Sequence, residues 1–322
     1  MKREEPGSES TVNWDSPAVA NFVRRALEED VGQGDATSLA TVLATTAGHA
    51  RIIAKSPLVC AGLPIVQRVF RELDPAMEIE FLAQDGDCIE SPRDVVRCRG
   101  RARAILTGER TALNFLAHLS GVATLTRRFV ERLAGTKTKI RDTRKTTPGM
   151  RMLEKYAVRM GGGTNHRVGL FDAILLKENH IALAGGVRAA LDKAHAYASA
   201  QITPREMSAY EATGSTRRAA EGNDCFLSVQ IEVRDGDELR QALEAGAQAV
   251  LLDNMKPDEA RRCVEIVRNS RQQCVVEISG GITLANAREY AETGADYLSS
   301  GSLTHSAPAA DFSLLVDKLG DK

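Results

Sequence analysis

The sequence has few aromatic residues and almost no net charge. Only 4% of its 322 residues are aromatic, and 42 lysines and arginines nearly balance 43 acidic residues, so the formal net charge is −1. Proteins that bind nucleic acids usually combine a basic surface with aromatic side chains on which bases stack. A nucleic-acid binder that uses one local basic segment therefore stays open only as a minor alternative, which a salt-dependent gel shift tests.

Paired cysteines and long apolar runs are also missing. The six cysteines form no C-x-x-C pair and have no zinc-finger spacing; they are Cys60, Cys88, Cys98, Cys225, Cys263 and Cys274. Reduced thiols are therefore expected. No apolar run approaches the length of a membrane span, and the opening residues MKREEPGSESTVNW contain no apolar signal-peptide core. We expect a cytoplasmic protein with a short disordered lead over residues 1–16.

What the sequence does contain is 43% hydrophobic residues, enough for one large or two ordinary domains. The first part has the pattern of an α+β layer: helical spacing covers residues 17–30 and 63–73, and strand-like runs cover 48–56, 77–83 and 94–106. Thr107 is the predicted N-cap of a further helix that reaches residue 133. Glu109 would then lie in the first turn, where a negative charge is favourable.

From residue 138 short strand-like runs alternate with helical patterns, which is typical of a parallel α/β sheet. The runs are 138–142, 173–177, 227–233, 249–253, 275–279 and 297–301, and the helical patterns are 149–160, 187–197, 237–245, 257–269 and 284–292. Polar or glycine residues follow every run, at the position where a β/α barrel keeps its active site. We therefore predict an α/β fold, with an incomplete (β/α) barrel following an N-terminal α+β sandwich domain.

Residues 139–180 form the most unusual segment, because they crowd cations against few acids. The cations are Arg141, Arg144, Lys145, Arg151, Lys155, Arg159, Arg167 and Lys177, and three glycines directly precede Thr164-Asn165-His166-Arg167. Cations packed between apolar segments repel one another unless an anion or buried carboxylates compensate. A pocket for a multiply anionic ligand is the favoured interpretation.

Two further features fit such a ligand. Ser279-Gly280-Gly281 follows a late strand and precedes the helix predicted from Leu284, where barrels often hold a phosphate, although a plain structural turn is the alternative. Glu232 and Asp253 lie near the ends of successive strands and could hold Mg²⁺ partly through a bound diphosphate, or could merely neutralise nearby cations. His166 is a candidate base or ligand contact without zinc-site spacing, whereas His118 and His195 are expected to be ordinary histidines.

On these residues the chain resembles the quinolinate phosphoribosyltransferases. The run RDTRKTTPGMRMLEKYAVRMGGGTNHRVGLFDAILLKENH is similar to the signature segment of that family, and EEDVGQGDATS, GERTALNFLAHLSGVATLT, VLLDN, EISGGI and ADYLSSGSLTHS are similar to family stretches in the same order. The resemblance covers about residues 17 to 318. Several motifs in order are much more specific than any one of them.

The resemblance implies that quinolinate and phosphoribosyl pyrophosphate give nicotinate mononucleotide, pyrophosphate and CO2, with Mg²⁺, in de novo NAD biosynthesis. Quinolinate would be held by Arg110, Arg144, His166, Arg167 and Lys177. Phosphoribosyl pyrophosphate would be held by Lys145, Glu232, Asp253, Ser279, Gly280 and Gly301. The catalytic set would be Lys145, Lys177, Glu232 and Asp253, with Glu232 and Asp253 at the metal. In the family the arginine that matches Arg110 comes from the neighbouring subunit, so a homodimer or a larger oligomer built from dimers is implied.

The implied organisation has an N-terminal domain over residues 17–134 that residues 304–322 rejoin, and a barrel over 135–303. Residues 199–224 interrupt the strand and helix rhythm and are expected to be an exposed insertion. Glu178 stands where the family usually has aspartate. Two alternatives stay open. The first is a paralogous phosphoribosyltransferase that acts on another base, although a base with one negative charge would not need Arg144, His166 and Arg167 together. The second is a non-catalytic anion-binding scaffold, in which Glu232 and Asp253 would have no role.

Overall fold

The computed structural model describes residues 12–200, 228–270 and 272–317. The chain divides into two compact units. The antiparallel unit contains residues 12–128, 146–163 and 302–317, and the parallel unit contains the other described residues. The predicted domain boundaries remain a prediction. Most of the predicted insertion, Cys225 and the first eleven residues lie outside the described residues.

The antiparallel unit is built on a four-stranded sheet. Its helices are α1 (Pro17–Val31), α2 (Ala36–Thr41), α3 (Leu63–Leu73), α4 (Ala102–Arg132), α5 (Arg151–Met160) and α11 (Ser302–His305). Its strands are β1 (Ala47–Ala54), β2 (Leu58–Val59), β3 (Glu78–Phe81), β4 (Cys88–Ile89), β5 (Arg93–Arg101) and β12 (Phe312–Val316). The sheet order is β12-β1-β5-β3, and β2 pairs with β4 separately. Because β12 pairs with β1 from the far end of the chain, this unit is discontinuous in sequence.

The parallel unit contains a six-stranded sheet of order β6-β11-β10-β9-β8-β7. Its strands are β6 (Lys139–Arg141), β7 (Ile174–Leu176), β8 (Val229–Val233), β9 (Ala249–Asp253), β10 (Val275–Ser279) and β11 (Tyr297–Ser299). Its helices are α6 (Glu178–Ala184), α7 (Val187–Ala200), α8 (Gly236–Glu244), α9 (Pro257–Asn269) and α10 (Ala287–Ala291). All its strand pairs are parallel, and within the described residues the sheet does not close. The predicted α/β class with an incomplete barrel is confirmed in that sense.

The two faces of the parallel sheet differ in chemistry, because strand side chains alternate between faces. One face is apolar and buried, and α7, α8 and α9 pack against it; it includes Ile140, Ile231, Val250, Val276 and Leu298. The registers place Arg141, Gln230, Glu232, Asp253, Glu277, Ser279 and Ser299 together on the opposite face. Three of the polar residues predicted at strand ends, Glu232, Asp253 and Ser279, therefore lie on one face of one sheet.

One predicted boundary is wrong. Residues 102–106 were expected to end a strand, with a helix from Thr107, but α4 already begins at Ala102. The run Ala102 to Leu106 is too short to separate a period of two from a helical period, and the helix continues for 31 residues. Thr107 does not cap: its hydroxyl donates a hydrogen bond to Asp35 Oδ2 at 3.1 Å.

Trp14, inside the predicted lead, packs edge-on against Tyr156 with ring centroids 5.0 Å apart. Ser16 caps α1 by accepting a hydrogen bond from the Val19 N–H. The five described cysteines form no disulfide with one another. In the part of the chain that the structure describes, every helix is too short or too polar to cross a membrane.

Candidate active site

The carboxyl ends of the six parallel strands lie along one edge of the sheet, where the predicted site residues of the parallel unit collect. Arg144 and Lys145 follow β6, Lys177 follows β7, and Glu232 is the penultimate residue of β8. Asp253 ends β9, Ser279 ends β10, and Gly301 follows β11. Parallel pairing brings these positions together although they span nearly half of the sequence.

Lys177 and Glu232 form a short ion pair at this edge. β7 pairs with β8, and Lys177 Nζ lies 2.5 Å from Glu232 Oε2. The lysine side chain is 49% exposed and the carboxylate only 11%. His180 Nδ1 accepts a hydrogen bond from the Lys177 backbone N–H at 3.0 Å, which holds the turn into α6. The pair therefore offers one cation to a ligand while the carboxylate stays anchored.

Asp253 lies one strand away from Glu232 and two residues further along the same face, since Glu232 is level with Leu251. Its Oδ2 accepts a hydrogen bond from Asn254 Nδ2 at 2.7 Å. No group of three or more histidine, cysteine or acidic side chains among the described residues is arranged to hold a metal. Two carboxylates at one edge do fit Mg²⁺, which commonly binds one or two carboxylates and completes its shell with phosphate oxygens and water.

Gly280 and Gly281 form a turn that only glycine allows. Their φ angles are 99° and 64°, in the left-handed region. A Cβ on Gly280 would lie 2.9 Å from the backbone nitrogen of Asn254, and closer still to its side chain. The turn therefore packs directly against the residue that follows Asp253. The helix predicted from Leu284 begins only at Ala287, because Thr283 N–H bonds to Asn286 Oδ1 and the Asn286 amide bonds to Gly281 O. No helix N-terminus directly follows the turn, so that part of the phosphate argument is wrong.

Arg144 and Arg167 are two like charges in the same neighbourhood. Burial lowers the pKa of the Arg167 guanidinium, and the positive charge of Arg144 lowers it further, while Asp172 acts in the opposite direction. Arg167 Nη1 donates to the carbonyl of Ala173 at 2.9 Å. Two guanidinium groups in one neighbourhood are suited to a dianionic ligand.

The loop that carries Arg167 is anchored by Asp142, a fully buried carboxylate just after β6. Asp142 accepts hydrogen bonds from the His166 N–H at 2.8 Å and from Asn165 Nδ2 at 2.6 Å. His166 Nδ1 in turn accepts the Arg167 N–H at 2.7 Å. The backbone that leads to Arg167 is thus held by the side chains of Asp142 and His166.

Sequence reasoning missed a second buried carboxylate, Glu277 on β10. It is fully buried and accepts hydrogen bonds from Arg141 Nη1 at 2.9 Å and Gln230 Nε2 at 3.1 Å, and a further one from the Ser299 hydroxyl. Burial raises the pKa of Glu277, but His166, Arg141 and the two neutral donors together leave it below its ordinary value. An acidic residue inside the apolar strand VVEIS was the signal available in the sequence.

Two further residues singled out in the sequence are Arg110 and Glu178. Arg110 belongs to the antiparallel unit, where it is exposed on α4. Glu178 begins α6, and its Oε1 accepts a hydrogen bond from Arg234 Nη1 at 2.8 Å. Its longer side chain therefore links α6 to the end of β8.

Comparison with known proteins identifies the family. Residues 35–120 match the family described as quinolinate phosphoribosyl transferase, N-terminal domain, and residues 122–213 and 206–315 match the C-terminal domain of the same family. The chain belongs to the quinolinate phosphoribosyltransferase family. The resemblance inferred from the motifs is confirmed.

Individual members of the quinolinate phosphoribosyltransferase family agree over nearly the whole chain. A probable nicotinate-nucleotide pyrophosphorylase (carboxylating) of Bacillus subtilis is 38% identical over 89% of this chain and 90% of its own length. Its counterpart from Synechocystis is 37% identical over 92% and 91%. The structure of the nicotinate-nucleotide pyrophosphorylase from Francisella tularensis superposes with a TM-score of 0.79 at 35% identity, covering 95% of this chain and 98% of that one.

Proposed function

We propose that this chain transfers the phosphoribosyl group of phosphoribosyl pyrophosphate to quinolinate, with loss of CO2. The products are nicotinate mononucleotide and pyrophosphate, so the enzyme acts in de novo NAD biosynthesis. Family membership over most of the chain supports the reaction class. The observation that carries the substrate assignment is the presence of Arg144 and the partly buried Arg167 in one neighbourhood, since two forked donors suit two carboxylates.

Quinolinate has two adjacent carboxylates on a planar ring, which suit the flat, forked donors of arginine. Arg144 and Arg167 are the main partners, with His166 and Lys177 beside them at the same sheet edge. A base with one carboxylate needs only one such partner. This arrangement favours quinolinate over the alternative bases of a paralogous enzyme.

Phosphoribosyl pyrophosphate binds to the remaining site residues at the carboxyl ends of the parallel strands. Ser279, Gly280 and Gly301 receive the 5′-phosphate, Lys145 meets the diphosphate, and Glu232 and Asp253 bind the ribose hydroxyls. As pyrophosphate leaves, positive charge develops on the ribose ring, and fixed carboxylates nearby stabilise that transition state. The pyridine nitrogen then attacks C1 of the ribose without any protein nucleophile, so the residues act mainly by positioning and by electrostatics.

The same two carboxylates, Glu232 and Asp253, would hold Mg²⁺. When bound, the ion would supply positive charge beside the leaving pyrophosphate. Lys177 lies 2.5 Å from Glu232 and holds that carboxylate in place.

We further propose a cytoplasmic homodimer, or a larger oligomer built from dimers. Arg110 reaches the site of the neighbouring subunit in this arrangement. Exposure of Arg110 on α4 supports the proposal, because a buried arginine could not cross an interface.

The experiment is turnover by purified protein with quinolinate, phosphoribosyl pyrophosphate and Mg²⁺, following nicotinate mononucleotide and CO2, with nicotinate as a parallel substrate. Product from quinolinate alone is expected. Reaction with nicotinate instead points to a paralogous base. If neither base reacts, the catalytic proposal fails, and binding of phosphoribosyl pyrophosphate then decides whether an anion-binding scaffold remains.

A further inference from the structure

Glu277 is the one acidic residue inside β10, and neither it nor its partners Arg141, Gln230 and Ser299 have a role in the reaction described above. Its carboxylate is fully buried, while the arginine that pairs with it, Arg141, keeps 22% of its side chain exposed. The Arg141 guanidinium also stacks over the Tyr297 ring, with its carbon 3.5 Å from the ring centroid. Arg141 is thus committed to protein groups on two sides.

Stability alone gives a poor reason for this network. Burying a carboxylate and a guanidinium costs free energy that their attraction barely offsets, and well-packed apolar side chains of similar size often serve as well or better. The opposite face of the same strands is filled in that apolar way, with Val276 and Ile278 fully buried. Because the charged network lies on one face only, we infer that the side chains on that face must be held in a defined geometry.

His166 connects the network to the ligand loop. Its Nδ1 accepts the Arg167 N–H, so in the neutral ring the proton must be on Nε2. Nε2 lies 3.5 Å from Glu277 Oε1, at ion-pair distance. The carboxylate therefore favours the neutral tautomer with its proton on Nε2, in which Nδ1 can accept the Arg167 N–H.

We propose that Glu277 is a positioning residue of the quinolinate pocket, which orients His166 from within the sheet and through it fixes the backbone that presents Arg167. This inference rests on the proposed function. Glu277 itself touches no substrate. It affects the binding of quinolinate. The binding of phosphoribosyl pyrophosphate, most of whose proposed partners lie at the ends of β8 to β11, is largely unaffected.

The test compares KM for each substrate, and kcat, in the full-length enzyme and in Glu277→Gln. The variant keeps the size of the side chain but removes its charge and makes the contact with Nε2 neutral. KM for quinolinate should rise about tenfold or more, while KM for phosphoribosyl pyrophosphate should change less than about threefold. Asp74→Asn is the matched control, since Asp74 is another buried carboxylate with an arginine partner but belongs to the antiparallel unit, and it should leave both KM values unchanged.

A double-mutant cycle with His166→Asn checks the route of the effect. If Glu277 acts through His166, Glu277→Gln should add little to the loss already caused by His166→Asn. Additive losses contradict the proposal, as does an unchanged quinolinate KM in folded Glu277→Gln, or an equal rise in both KM values. If Glu277→Gln does not fold, Gln230→Leu is the second variant, because it removes a neutral donor from the same carboxylate. KM for quinolinate alone should then rise about threefold. If it does not rise, the proposal is wrong. Wild-type enzyme inactive on quinolinate refutes the proposed function instead, before any variant is compared.

Discussion

Single residues in this protein owe their roles to the charges placed beside them. Arg167 is the clearest case, because burial and the neighbouring Arg144 both lower the pKa of its guanidinium. Lys177 shows the opposite situation, since it has a partly buried carboxylate 2.5 Å from its ammonium group. A ligand with two negative charges compensates the first arrangement without disturbing the second.

Replacing Arg167 with alanine should weaken quinolinate binding by about 2–5 kcal/mol, because one substrate carboxylate is left buried without a partner. Titration calorimetry of quinolinate measures the loss. Arg188→Ala is the matched control: it removes an arginine of the same unit that donates to the Glu244 carbonyl on the helical side. Equal affinity of Arg167→Ala and wild type would remove Arg167 from the site.

Asp74 carries a pH prediction. The Arg101 backbone N–H lowers the pKa of Asp74, burial opposes this, and the Arg101 side chain adds to the lowering. The folded state therefore favours the ionised form. Its stabilising contribution is present above the ordinary pKa of 3.8 and is lost as the pH falls through the lower folded value.

Asp74→Asn should accordingly lower the free energy of unfolding by about 1–3 kcal/mol at pH 7, and the difference from wild type should shrink below pH 3.8. Urea unfolding followed by fluorescence of Trp14 measures this free-energy difference. Trp14 reports on the antiparallel unit, which contains Asp74, because it packs against Tyr156 in that unit. A difference that stays constant down to pH 3 argues against an ionised, hydrogen-bonded Asp74.

At the scale of elements, close packing decides where glycine is required. Three consecutive glycines, Gly161, Gly162 and Gly163, follow α5. The structure gives two of them a packing reason: a Cβ on Gly161 would lie 2.4 Å from the Ala123 carbonyl oxygen, and one on Gly163 would lie 2.7 Å from Thr126 Cγ2. The end of α5 therefore touches the backbone of α4 without intervening side chains.

Gly161→Ala should destabilise the antiparallel unit by about 1–3 kcal/mol, since the added methyl group cannot fit without a shift of α4. Thermal unfolding followed by circular dichroism measures the change. Gly236→Ala is the control, because a Cβ there meets nothing closer than 3.7 Å, and it should be neutral or slightly stabilising. Equal stability of the two variants would show that α4 and α5 can separate at little cost.

At the scale of the whole molecule, neither unit is a continuous stretch of chain. Residues 146–163 and the C-terminal strand β12 belong to the antiparallel unit, although both follow parts of the parallel unit in sequence. A single cut therefore cannot release either unit intact. The predicted sharing of Arg110 between subunits adds a second level at which the site depends on distant parts of the sequence.

Mixed oligomers test that sharing. Arg110→Ala and Lys177→Ala subunits should each be inactive, and mixing them should restore part of the activity, because one site of a mixed dimer then has both residues intact. Turnover of quinolinate after unfolding and refolding the subunits together provides the measurement, with native mass spectrometry to verify mixed dimers. If verified mixed dimers stay inactive, the shared-site proposal is wrong.

The sequence by itself determined the class of the fold and the position of the candidate site. Alternating strand and helix periods predicted the parallel sheet, and polar residues after each strand predicted its functional edge. Both are local patterns that can be recognised in the sequence, because side-chain direction follows the period of each element. The ordered family motifs then identified the reaction class.

Only the tertiary structure decided which charges meet. Arg141 and Glu277 are 136 positions apart, and Lys177 and Glu232 are 55 apart. Their pairing depends on the strand order β6-β11-β10-β9-β8-β7, in which the first strand along the chain lies beside the last. The early start of α4 was decided in the same way, since Ala102 packs against Gly48 and its N–H bonds to Thr46. Contacts between residues so far apart depend on the packing of whole elements, which no local period specifies.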